Sequence, residues 1–97
     1  MTLSEFNHSL TADQPPEELS LPVKALWHDK RGNWEKAHEL AQQAAGRDGD
    51  WVHAYLHRKE GDEANARYWY DRAGKPQAHS SLDEEWERIS AALLDTT

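Results

Sequence analysis

The chain has 97 residues, of which 37% are hydrophobic and 30% charged, and its formal net charge is −7. This length allows one modest hydrophobic core, and the hydrophobic content is above the range typical of disordered chains. The negative charge disfavours a nucleic-acid partner, and the lack of cysteine excludes disulfides and thiolate metal sites.

The composition predicts an all-α protein. Ala, Leu, Glu, Lys and Arg are frequent, whereas Val and Ile, which favour strands, are rare. The first residues, "MTLSEFNHSL", lack a basic segment followed by an apolar run, and no run of 18 apolar residues occurs anywhere. We therefore expect a soluble, cytoplasmic protein without a membrane partner.

Residues 1–21 are interpreted as an N-terminal extension of a single domain, 1–97. Leu3, Phe6 and Leu10 suggest a short helix or turn at its start. The stretch "TADQPPEELSLP" that follows is predicted to be a proline-marked linker.

The central part of the chain contains an internal repeat. "ALWHDKRGNWEKAHELAQQA" (25–44) aligns without gaps on "AYLHRKEGDEANARYWYDRA" (54–73), with an offset of 29 residues. The identical pairs are Ala25/Ala54, His28/His57, Lys30/Lys59, Gly32/Gly61, Ala37/Ala66 and Ala44/Ala73.

Each copy is predicted to be two helices joined by a two-residue turn. Gly32 and Gly61 can adopt the left-handed conformation that ends a helix, and Asn33 and Asp62 are suited to cap the next one. The predicted helices span 22–31 and 33–45 in hairpin 1 (22–46), and 50–60 and 62–73 in hairpin 2 (50–74).

A further helix is predicted over 82–94, within a C-terminal capping segment, 81–94. Ser81 and Glu84 have the spacing of a capping box, in which each side chain bonds the other residue's backbone. An apolar stripe follows, formed by Leu82, Trp86, Ile89 and Leu93. Such a helix would cover the open end of the second hairpin.

The turns "GNWEKA" and "GDEANA" and the run "ARYWYDRA" resemble tetratricopeptide and Sel1-like helical repeats over residues 25–76. The resemblance implies two stacked antiparallel helical hairpins with a C-terminal capping helix. It also implies a concave groove that binds a protein or peptide, lined by what we call the groove strip: Trp51, Tyr55, Arg58 and Lys59. Lys30 would be the equivalent groove residue in the first hairpin.

The groove strip has two interpretations. Aromatic surface beside Arg is typical of binding sites, and the two cations would favour an acidic partner or a free C-terminus. Alternatively, Trp51 and Tyr55 are core residues, and Arg58 and Lys59 are an ordinary solvated face. If the cations lie on the surface, replacing both by alanine should change the free energy of unfolding by no more than about 0.5 kcal/mol.

A metal site is the alternative function. His53, His57 and Glu60 lie at i, i+4 and i+7, so one helix would gather them on one side, and two histidines with a carboxylate can hold zinc. However, Ala54 follows His53, so the H-E-x-x-H signature is absent. His28 shares a repeat column with His57, which favours a structural role, and we expect no bound metal.

Signals for catalysis are absent from the sequence. It contains no glycine-rich phosphate loop, no G-x-S-x-G motif and no dinucleotide-binding fingerprint. We therefore expect no enzymatic activity and no cofactor. The preferred interpretation is a small cytoplasmic protein-interaction module, and the alternatives are a metal-binding protein or enzyme, or a structural homodimer subunit.

Overall fold

The computed structural model describes residues 1–94, and this part of the chain consists of helices without strands, as the composition predicts. None of its helices is long and apolar enough to cross a membrane. The helices are α1 (Leu3–Ser9), α2 (Leu21–Lys30), α3 (Trp34–Gln43), α4 (Arg47–Lys59), α5 (Glu63–Ala73) and α6 (Leu82–Leu94).

The two repeat turns have the predicted local structure. Gly32 and Gly61 have φ angles of +85° and +89°, which side chains other than glycine rarely adopt. Asn33 and Asp62 begin the next helices, and each side chain accepts a hydrogen bond from the backbone N–H three residues later, at 3.1 and 3.2 Å. The same chemistry therefore reverses the chain twice, between α2 and α3 and between α4 and α5.

Capping explains two other helix starts. The Ser81 hydroxyl accepts from the Glu84 N–H at 3.1 Å, as predicted, but the Glu84 carboxylate accepts from that hydroxyl instead of from the Ser81 backbone. Thr2 and Glu5 form a complete capping box at the start of α1. This capping box stabilises the start of α1, so the segment predicted as a short helix or turn is a helix.

The predicted boundary between the hairpins is wrong by several residues. Helix α3 ends at Gln43 instead of residue 45, and α4 begins at Arg47 instead of residue 50. Gly49, which we placed ahead of the helix, lies in its first turn, where a Cβ atom would come within 2.7 Å of the Ala44 carbonyl oxygen. The absence of a side chain there lets the chain fold back closely on the end of α3.

Helix α4 is central to the packing. It contacts α3, α5, α6 and α2, while α2 also packs against α3. Helix α6 contacts α2 and α1 as well, so the first and last helices meet.

A single cluster of buried hydrophobic side chains joins the helices. Phe6 is fully buried and stacks on Trp86, with ring centroids 5.6 Å apart. The Trp86 indole N–H donates to the Leu26 carbonyl at 3.0 Å, and the predicted stripe residues Ile89 and Leu93 are buried beside it. The N-terminal extension therefore contributes to the core.

Candidate functional site

The aromatic half of the groove strip is buried. Trp51 and Tyr55 are only 8% and 2% exposed, and the Tyr55 hydroxyl donates to Asp29 Oδ2 at 3.1 Å. Burial, followed by the negative charge of Asp29, raises the pKa of Tyr55. These side chains are core residues, which was the alternative interpretation, so α4 has no exposed aromatic strip here.

The cationic half of the strip is paired with buried acids. Arg58 Nη1 lies 2.8 Å from Glu85 Oε1, and Lys59 Nζ lies 2.9 Å from Asp29 Oδ1. The Tyr70 hydroxyl donates to the other oxygen of Glu85 at 2.5 Å. The side chains of Glu85 and Asp29 are 2% and 1% exposed. Arg58 and Lys59 therefore neutralise buried carboxylates, although the Lys59 side chain is itself 38% exposed.

Lys30, the predicted groove residue of the first hairpin, contacts α6. Its Nζ atom lies 3.4 Å from Asp83 Oδ1 and 4.8 Å from the centroid of the Trp86 ring. An exposed ion pair and a cation–π contact of this kind each contribute up to about 1 kcal/mol. Lys30 thus helps to attach α6, and it does not line a surface with Trp51.

Three histidines meet where α3 packs against α4. His53 and His57 are one turn apart on α4, and His38 approaches them from α3. The Nε2 atoms of His38 and His53 are 3.0 Å apart, and each of the three rings offers a nitrogen within 4.8 Å of the others. His53 and His57 are 4% and 9% exposed.

Glu60 occupies a different place from the one predicted. Its Oε1 atom lies 2.7 Å from His57 Nδ1, so it contacts the nitrogen on one edge of the ring and does not join His53. A carboxylate at Nδ1 holds the proton there and leaves the Nε2 lone pair available. The predicted set of His53, His57 and Glu60 is thus corrected: His38 is the third ring, and Glu60 orients His57.

Two indole rings flank the histidine cluster. Trp34 stacks on His38 with centroids 4.8 Å apart, and Trp69 stacks on His53 at 3.9 Å. The Trp34 N–H also donates to the Leu56 carbonyl of α4 at 2.9 Å, which fixes the orientation of its ring. Trp34 and Trp69 are partly buried and form the walls of this cluster.

The cluster favours neutral imidazoles. Burial, followed by the charges of His38 and His57, lowers the pKa of His53 from 6.5 to about 4. Burial and the charge of His57 also lower the pKa of His38. Neutral rings carry the lone pairs that metal ions bind, and no proton has to be removed from an imidazolium first.

The lowered pKa of His53 predicts a pH-dependent stability. Between pH 6.5 and about 4 the unfolded chain binds a proton at this position and the folded chain does not, so the free energy of unfolding should fall as the pH decreases through that window. Urea unfolding at several pH values measures this slope. His53→Gln should flatten it, and parallel curves for the variant and the parent would contradict the assignment.

The repeat obscured the role of His57. The shared feature of its column is a backbone contact: the carbonyls of His28 and His57 accept from Asn33 N–H and Asp62 N–H, both at 2.9 Å. The His28 ring makes only an edge contact with its neighbour Trp27. The match of His28 with His57 in the repeat alignment therefore reflects the backbone of the turn. It says nothing about the function of the His57 ring.

Comparisons with protein-family models, with curated proteins and with solved structures found no match to this chain.

Proposed function

We propose that the protein binds one divalent transition-metal ion, of the type of Zn²⁺, through ring nitrogens of His38, His53 and His57. The observation that carries this proposal is the convergence of three imidazoles from two helices within 4.8 Å. Without an ion, the Nε2 atoms of His38 and His53 lie at hydrogen-bonding distance, 3.0 Å, and burial lowers the pKa of both rings. A metal ion would accept lone pairs of these neutral rings.

The distances suit a tetrahedral ion. Zinc binds histidine nitrogens at about 2.0–2.1 Å, which places two such ligands roughly 3.4 Å apart. The Nε2 atoms of His38 and His53, at 3.0 Å, already have nearly this separation. The third ring needs to approach by at most about 1.5 Å, which rotation about its side-chain bonds supplies.

The surroundings also favour a metal. The Glu60 carboxylate at His57 Nδ1 is the outer contact that metal-bound histidines commonly have, and it orients the ring. Trp34 and Trp69 restrict the movement of the other two rings. Three nitrogen ligands leave a fourth position for water, as in zinc sites that have an open position.

A second acidic grouping lies nearby and is less suitable. His57, Glu60 and Asp62 also offer ligand atoms within 4.8 Å of one another. However, the Asp62 carboxylate already accepts from the backbone and side-chain N–H groups of Asn65, at 3.2 and 2.7 Å. Binding a metal there would remove the cap of α5, so we favour the three-histidine cluster.

Isothermal titration calorimetry of the protein with ZnCl₂ tests the proposal. We expect one ion per chain, and the Co²⁺ form should show the visible absorption typical of a tetrahedral site. His38→Gln and His53→Gln should each weaken binding at least 10-fold, whereas His28→Gln, on α2, should have no effect. A stoichiometry well below one, or equal affinity in the His38→Gln variant, would refute the site.

We also propose that the fold is a short helical repeat related to tetratricopeptide or Sel1-like units, acting in the cytoplasm as a protein-interaction module. Two hairpins, α2–α3 and α4–α5, would stack through α3 and α4, with α6 packed against α2 and α4. The observation that favours this is the repeated turn. In both copies a glycine has a positive φ angle, an Asn or Asp side chain caps the next helix, and a histidine carbonyl accepts a hydrogen bond from the capping residue. Light scattering of the purified protein would show whether it forms a homodimer, which is the alternative to a module that binds another protein.

A further inference from the structure

A small pocket opens beside one edge of Trp51, and we call it the Trp51 pocket. Its volume is about 290 Å³, at the lower end of the range for small-ligand sites. The wall consists of Trp51, Pro76 and Ala78, together with the side chains of Lys75 and Arg88. The pocket lies between α4, the segment that follows α5, and α6.

Two cations at this pocket have no ionic partner. Lys75 Nζ lies 4.3 Å from the centroid of the Trp51 ring, and no ion pair of Lys75 or Arg88 occurs within residues 1–94. The acid in the wall, Glu85, already accepts from Arg58 and from the Tyr70 hydroxyl. In a chain of net charge −7, the pocket is therefore a local positive site.

One side of the pocket is the segment 75–79, which belongs to no helix or strand. Within the described part of the chain, the backbones of Gln77 and His79 make no hydrogen bond to another backbone group. Backbone N–H and C=O groups left in this state can pair with an added extended chain. This property favours a peptide over a compact small molecule.

From these observations we infer that the Trp51 pocket binds the free C-terminal carboxylate of an extended peptide whose last side chain is apolar. Arg88 can hold the carboxylate through two hydrogen bonds, and Lys75 adds a second positive charge. The last side chain packs on Pro76 and Ala78, beside the edge of Trp51, and the preceding backbone pairs with the segment 75–79. This inference depends on the proposed interaction role and is independent of metal binding.

The probe is a pool of six-residue peptides of mixed sequence that all end in leucine with a free carboxylate. Binding is followed by NMR of the ¹⁵N-labelled protein, in which the Trp51 indole N–H and the Arg88 side chain report on the pocket. We expect both signals to shift with the free-carboxylate pool. The same pool with amidated C-termini should shift them at least 10-fold less at equal concentration.

Variants distinguish this pocket from other surfaces. Lys75→Gln combined with Arg88→Gln should weaken binding of the pool at least 10-fold without changing the thermal unfolding midpoint, because both side chains are exposed. Arg67→Gln removes an exposed cation of α5 and should leave binding unchanged. Equal shifts with amidated peptides, or full binding by the double variant, would overturn the inference.

The interaction role itself is judged separately. Suppose that a purified native partner binds the parent and the Lys75→Gln, Arg88→Gln variant with equal affinity. The interaction role would then stand, and the Trp51 pocket would be refuted as the binding site. A partner whose affinity falls at least 10-fold in the variant, and also when its own C-terminus is amidated, supports both. Binding of the free-carboxylate pool that is lost equally in the Arg67→Gln control would indicate nonspecific charge attraction and contradict the proposed pocket.

Discussion

Replacing Arg58 by alanine is expected to lower the free energy of unfolding by about 3–5 kcal/mol, the usual cost of leaving one partner of a buried ion pair uncompensated. Glu85 is 2% exposed and would retain only the Tyr70 hydroxyl as a hydrogen-bond donor. Arg58 also donates to the Ser80 carbonyl, so the segment before α6 would lose a contact as well. Urea unfolding monitored by circular dichroism measures the change.

Two controls separate this effect from the loss of a surface charge. Arg67→Ala, on the exposed side of α5, should change the free energy of unfolding by no more than about 0.5 kcal/mol. Replacing both partners, as in Arg58→Met with Glu85→Leu, should recover part of the loss, since no unpaired charge is then buried, although the buried Tyr70 hydroxyl loses its acceptor. An Arg58→Ala variant as stable as the Arg67→Ala control would show that Glu85 is solvated in solution.

Saturating Zn²⁺ is expected to stabilise the protein by about 4 kcal/mol when the free ion is at 1,000 times its Kd, because the ion binds the folded cluster and not the unfolded chain. The metal would join α3 to α4 through His38 and His53. The metal-free protein should remain folded in excess chelator, since a cluster of buried hydrophobic side chains joins its helices without the ion. Thermal unfolding with and without ZnCl₂ measures both effects.

The histidine variants provide the comparison. His53→Gln should abolish the zinc-dependent rise in unfolding temperature, while His28→Gln should retain all of it. An equal rise in both variants would place the metal elsewhere on this acidic surface. A protein that unfolds in chelator alone would show that the metal is required for folding and that the core is weaker than its burial suggests.

Local structure was predictable because it depends on neighbouring residues. Gly32 and Gly61 provide the positive φ, and Asn33 and Asp62 provide the caps, all within four residues of the helix ends that they determine. The first turn of α4 was missed because Gly49 is a poor helix former. Its role, a close approach to Ala44, depends on how α3 and α4 pack.

The candidate sites depend on pairs that no local pattern reveals. Hydrophobic periodicity identified the apolar side of α4, but Trp51 and Tyr55 would have the same spacing in a groove and in a core. Whether Arg58 is a surface cation depends on Glu85, which is 27 residues away in the sequence. A pattern within one helix cannot include such a partner.

The sequence by itself determined the helical class, the two capped turns and the apolar stripe of α6, because helix propensity, glycine conformation and periodicity act over a few residues. Only the tertiary structure decided which side chains meet. His38 and His53 are 15 residues apart on different helices, and their Nε2 atoms come within 3.0 Å because α3 packs on α4. The packing of α2 and α6 on α4 likewise brings Asp29 and Glu85 to the cations of the groove strip.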